Sequence, residues 1–198
     1  MRDAPLITRV LALCFGLLVP LAPLVQAQPA ATPSEPRLET GDIVLTGNDS
    51  AWAFLARRFA DRDSRWSHVG IVVRDQTGLS VVHMDGSPLG GHIRREPLSS
   101  FTESARYSRF VRPSLDRQQR RRLRSWLDGH LVRQTAFDTR FRLDERPAMY
   151  CSELVWRGLD RVGGLPASRA LPTVAGRPFV PVDRLIELDV AGRSASAR

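Results

Sequence analysis

Read for the spacing of apolar and polar positions, the chain divides after about residue 40 into a series of short segments. "GDIVLTG" (Gly41 to Gly47) is a β-rich run bounded by glycines. In "SAWAFLARRFA" (Ser50 to Ala60), Trp52, Leu55 and Phe59 recur at helical spacing, with Ser50 placed to cap the helix. Four β-type runs follow in close succession, "SHVGIVVRD", "LSVVHMDG", "HIRREPL" and "YSRFVRP", separated by turn residues at Gln76 to Gly78 and Gly86 to Gly91. Strands this close together predict an antiparallel meander rather than alternating strand–helix units. A helix is predicted over Leu115 to Val132, then a loop containing "FDTRFRLDERPAM", then a second helix from about Cys151 to Val162 that Gly163 and Gly164 end. A short helix, "PVDRLIEL", begins with Pro181 and Asp183 near its start. The fold class expected is α+β: a small antiparallel β-sheet or partial barrel whose apolar face is covered by amphipathic helices.

The first residues set the compartment. Arg2 and Arg9 precede an apolar run from Val10 to about Val25, which closes on "VQA" before Gln28. That is the layout of a signal peptide. Pro20 and Pro23 interrupt the run, and a permanent anchor would need about 20 apolar residues. Residues 1–27 are therefore expected to be a cleaved signal peptide and 28–40 a flexible linker; 41–190 form one domain and 191–198 a disordered tail. An uncleaved anchor is the alternative. Cys14 is expected to leave with the signal, because Leu13 is bulky where a lipidation signal wants a small residue. The destination expected is the periplasm or cell envelope.

The chain carries 29 basic residues, all arginine, and a formal charge of +8. "RQQRRRLR" (Arg117 to Arg124) resembles a nucleic-acid or anionic-lipid patch. However, Leu123, Trp126, Leu127, His130 and Leu131 recur at helical intervals, so these arginines are read as the wet face of an amphipathic helix. No nucleic-acid partner is expected, and no cofactor; there is no Gly-rich phosphate loop.

With Cys14 removed, Cys151 has no partner for an intramolecular disulfide. It could be a packing residue, since free cysteine is often buried; it could ligate a metal; or it could be a nucleophile. A place in the first turn of a helix favours the last, because unsatisfied N–H groups and the dipole lower a thiol pKa and can also hold an oxyanion. A thiol nucleophile needs a base and a group that orients it. Of four histidines, His130 falls on the apolar stripe of the Arg-rich helix and reads as core edge. His68 opens "SHVGIVV", with Gly70 leaving space beside the imidazole for a substrate or a helix end. An ordinary strand-edge histidine is an equal alternative. His83, in the adjacent strand, could be brought next to His68 by a short hairpin. Asp85 is the reserve orienting residue and His92 a weaker one. Cys151, His68 and His83 could ligate zinc, but no CxxC, HxxxH or fourth local ligand accompanies them.

The ordered set "GDIVLTG", "WSHVGIVV", "FDTRFRL…YCSELVWRGL" and "PVDRLIEL" resembles the YiiX/YebB-like group, circularly permuted members of the NlpC-type papain-like cysteine hydrolases. The resemblance runs from about Gly41 to Leu188, and the pair "SHVGI" then "YCSEL" is its specific part. It implies a permuted papain-like fold, with Cys151 as nucleophile, His68 as general base and His83 as the third residue. That third position is often Glu in this group and His in its lecithin–retinol-acyltransferase-like relatives. Glu153 and Asp42 also match favoured positions and are read as structural. The implied activity is cleavage of amide bonds, in cell-wall peptides, through a thioester by a monomeric exported enzyme. A lipid acyl hydrolase or acyltransferase is the alternative, and a silent envelope binding module is the alternative of another class. Trp52, Phe54, Leu55 and Phe59 would line an apolar cleft for a lipid or, more simply, pack.

Overall fold

The computed structural model describes residues 37–48, 58–143, 147–167, 170–174 and 176–190. The predicted signal peptide, most of the linker, the helix at 50–60 apart from its last residues, and the tail lie outside the described residues.

Five strands form one antiparallel sheet: β1 (Ile43–Gly47), β2 (His68–Asp75), β3 (Gly78–Ser87), β4 (Gly90–Pro97) and β5 (Tyr107–Val111). Their order is β4-β3-β2-β1-β5, so the first four make the predicted meander and the last returns beside the first. The sequence pattern follows position in the sheet. β1 is buried at all five residues and β2 at its middle five, which is why "IVL" and "VGIVV" read as continuous apolar runs rather than alternating ones. Polar residues concentrate on the edge strands β4 and β5, where Arg94, Arg95 and Glu96, or Ser108 and Arg109, discourage pairing with another chain.

Helices cover one face. α2 (Arg117–Val132) brings Leu123 and Leu127, and α3 (Cys151–Val162) brings Leu154, Val155, Leu159 and Val162, onto Ile43, Leu45, Val69, Ile71 and Val73. The predicted stripe of α3 is the buried one. Asp116 caps α2: its carboxylate accepts from the Gln119 N–H at 2.7 Å, while the Gln119 side chain accepts from the Asp116 N–H at 2.8 Å. Gly158 permits the two helices to close, since a Cβ there would meet Leu123 Cδ1 at 2.9 Å. Gly163, at φ 73°, ends α3 in the left-handed conformation.

The opposite face holds a smaller cluster of Leu38, Val44, Val72, Val81 and Phe101. Phe101 comes from α1 (Leu98–Glu103), a single short helix where the sequence predicted only a connection after "HIRREPL". Pro97 ends the strand because it cannot donate to a ladder, and Leu98 and Phe101 then fold over the sheet. The segment "PVDRLIEL" is a 3-10 helix, Val182–Leu188. Asp183 is buried and accepts from the N–H groups of Asp61, Arg62 and Asp63 at 3.1, 2.7 and 3.0 Å.

The Arg-rich run divides by role. Arg117, Arg121 and Arg122 are exposed, as the amphipathic pattern predicts. Arg120 instead donates to the Thr40 carbonyl at 2.7 Å, fastening α2 to the start of β1. Asp42 is buried at that junction and is gripped by Arg112 at 2.7 and 3.0 Å, which is the structural role the sequence assigned to it.

Candidate active site

Cys151 is the first residue of α3, and its sulfur lies against the backbone N–H groups of Ser152, Val69 and Cys151 itself. Val69 directly follows His68, the first residue of β2. The thiol and the imidazole thus both stand at the N-terminal end of the same strand, 83 residues apart in sequence but joined by the packing of α3 on β2. Two bonds fix the helix start: Ser152 Oγ donates to the Val180 carbonyl at 2.6 Å, and the Val180 N–H donates to the Tyr150 hydroxyl at 3.0 Å.

His68 Nε2 is 2.9 Å from His83 Nδ1 on β3. Phe101 closes over both rings, with centroids 5.3 Å from His68 and 4.9 Å from His83. The pairing that the hairpin was expected to permit is therefore present, and the register explains it. Gly70 lies directly across from His83, and a Cβ on Gly70 would meet Val81 Cγ1 at 2.3 Å and His83 Cβ at 3.1 Å. This corrects the role predicted for Gly70: the space beside it is filled by the neighbouring strand, not left for a substrate. Gly70→Ala is expected to cost about 1–3 kcal/mol through overpacking. It should also push His83 off His68, seen as a lower urea midpoint together with shifted histidine ring resonances.

The charges around the thiol depart from the sequence-based expectation. Burial pushes the Cys151 thiol up to about 11, outweighing the N–H groups of Ser152, Val69 and Cys151 that pull it down. Cys151 is 8% exposed, so desolvation of a thiolate dominates over the helix terminus. Burial also lowers His68 to about 4, against a smaller opposing effect of Asp85, and lowers His83 to about 3. At neutral pH Cys151 is therefore a thiol and both imidazoles are neutral. The imidazole is not among the thiol's hydrogen-bond partners, and such contacts often tighten only when substrate binds.

The remaining candidates lie elsewhere. Asp85 is exposed and bonded to Arg94 at 2.8 Å. His92 is exposed on β4, bridged to Ala136 through its backbone. His130 is a half-buried core-edge residue, 2.7 Å from the Thr135 hydroxyl through Nδ1. Glu153 is fully buried; it accepts from the Tyr150 N–H at 3.2 Å and from Arg157 Nε at 2.6 Å. Sequence reasoning did not single out Glu96, whose Oε1 lies 2.9 Å from His83 Nε2. The signal for it was the alternation of β4: once His83 pairs with Arg94, Glu96 is the next residue on the same face. A cavity lined by Arg58, Phe59, Asp61, Pro172 and Pro181 includes none of these groups.

The fold is similar to that of the metalloprotein YiiX from Escherichia coli O157:H7, known from its crystal structure. The TM-score is 0.56 at 20% sequence identity, over 80% of this chain and 83% of that one. The chain thus has a YiiX-like fold. No family model matches the sequence, and no curated protein matches it. Among the described residues, no three His, Cys, Asp or Glu side chains converge as a metal site would require. Among the described residues, His68 and His83 direct nitrogens at each other rather than at a common point, an arrangement that does not fit a metal.

Proposed function

We propose that this chain is an exported cysteine hydrolase that cleaves amide bonds in cell-wall peptides through a thioester. The observation that carries the proposal is the arrangement at the end of β2. A thiol at a helix N-terminus lies against the peptide N–H that follows His68, and His68 is backed by His83 at 2.9 Å.

In the proposed cycle, His68 Nδ1 takes the Cys151 proton as Sγ attacks the carbonyl carbon. The carbonyl oxygen becomes an oxyanion, which the N–H groups at the α3 terminus are placed to stabilise. The C–N bond then breaks, the amine leaves with the proton from His68, and the acyl group remains on sulfur. Water gives its proton to His68 and attacks the thioester; the acid departs and the thiol is restored. His83 holds the imidazole plane throughout.

The test is to incubate the protein separately with muropeptides and with phospholipid vesicles, and to look by mass spectrometry for products and for an acyl adduct on Cys151. Cleaved peptides from the wild type and none from Cys151→Ala are expected. Lysophospholipid or transferred acyl chains would move the substrate to lipids. Products unchanged in Cys151→Ala would end the thiol mechanism, and no product from either class would favour the binding module.

A further inference from the structure

We infer that Glu96 is a positioning residue that fixes the proton arrangement of the two histidines, and thereby leaves His68 Nδ1 free to act as the base. The inference rests on the proposed role of His68. A neutral imidazole has one N–H donor and one acceptor nitrogen. His68 Nε2 faces His83 Nδ1 at 2.9 Å, so one of these nitrogens must carry the shared proton. The choice sets everything else. If His83 Nδ1 carries it, His68 Nε2 accepts and the His68 proton sits on Nδ1, where it blocks abstraction from the thiol. If His68 Nε2 carries it, His68 Nδ1 has a free lone pair.

His83 Nε2 decides between the two. It is buried and lies 2.9 Å from Glu96 Oε1, although not aligned for a hydrogen bond. Were that nitrogen unprotonated, its lone pair would face a carboxylate oxygen in a site sheltered from water, which is repulsive. With a proton there the contact becomes attractive, and a small rotation of the carboxylate aligns it. His83 Nδ1 must then accept, and His68 Nε2 must donate. Arg94 holds the other Glu96 oxygen at 3.7 Å and bonds Asp85 at 2.8 Å, which keeps the carboxylate on the His83 edge. The groups facing the His83 ring are therefore His68 from β2, Phe101 from α1, Asp85 and the Met84 backbone from β3, and Arg94 and Glu96 from β4. Of these, the Met84 backbone is the competitor for the ring proton.

The protein labelled with ¹⁵N-histidine should show, in long-range ¹H–¹⁵N spectra at pH 7, both His68 and His83 protonated at Nε2. Glu96→Ala should convert this to a mixture with Nδ1-protonated rings and slow iodoacetamide alkylation of Cys151 by about tenfold, part of the 10²–10⁴-fold a general base supplies. Glu96→Leu, which keeps bulk at the His83 edge, should do the same. His83 protonated at Nδ1 in the wild type would overturn the inference, as would unchanged tautomers in both folded variants. His68→Ala separates the two ideas. If the tautomers respond to Glu96 but alkylation is indifferent to His68, the tautomer control stands and the role of His68 as base falls.

Discussion

His68→Ala is expected to lower kcat/KM by roughly 10²–10⁴-fold on the substrate class that the product screen returns, with the far-UV circular dichroism unchanged. The size follows from the resting state of the site. With the thiol held near 11 and the imidazole near 4, the site does not store a thiolate, and the nucleophile forms only as the proton moves to His68. Losing the base therefore removes the route to the reactive sulfur rather than weakening a thiolate already present. The same argument fixes the pH profile. His68 must be neutral to accept a proton, and burial depresses its pKa. The wild-type kcat/KM should therefore rise with pH through about 4 and be flat through 6.5, where an unperturbed imidazole would titrate. An acid limb centred near 6.5, or an alanine variant of wild-type activity, would remove His68 from the mechanism.

Much of the fold was legible because it depends on local pattern. The runs "IVL" and "VGIVV", the spacing of Leu154, Val155, Leu159 and Val162, and the glycine pair after Val162 each act within a few residues, and each appears where predicted. What sequence did not show depends on partners distant along the chain. Phe101 of α1 covers the histidine pair, a partnership that no local signal states. Glu96 gains its meaning only from the strand register that sets it beside His83. The thiol is the clearest case. Its position at the start of a helix was readable, and that alone favours a low pKa. The desolvation that reverses the direction comes from burial in the assembled core, which the residues around Cys151 in sequence do not state.

Arg157→Met is expected to destabilise the fold strongly, and most at alkaline pH. Glu153 is fully buried, and its charged partner is Arg157, whose Nε donates to Glu153 at 2.6 Å while Nη2 donates to the Leu143 carbonyl. Methionine keeps the apolar stem and removes the charge. Breaking a buried pair at one end costs about 3–5 kcal/mol, but Glu153 can escape part of this by taking a proton, so the cost depends on pH. Burial already pushes Glu153 up to about 7, against the opposing pull of Arg157. The sign follows from which state holds the proton. Between its ordinary value of 4.5 and about 7, folded Glu153 keeps a proton that the unfolded chain releases, so its contribution to stability falls as pH rises and levels off above 7. Without Arg157 the folded value climbs further, and the fall continues past 7. The gap between wild type and variant should therefore widen above pH 7 by up to about 1.4 kcal/mol per pH unit. Near pH 5 it should shrink to about 1 kcal/mol, the usual worth of the lost bond to Leu143. The buried histidines, lowered in the fold, act in the opposite direction below 6.5 and largely cancel in the difference; His130 alone feels Arg157, as a minor lowering. Urea midpoints for both proteins at pH 5, 7 and 8.5 make the comparison. A gap that is constant across pH, or that widens on the acid side, would mean that Glu153 is not the buried charge Arg157 holds in place.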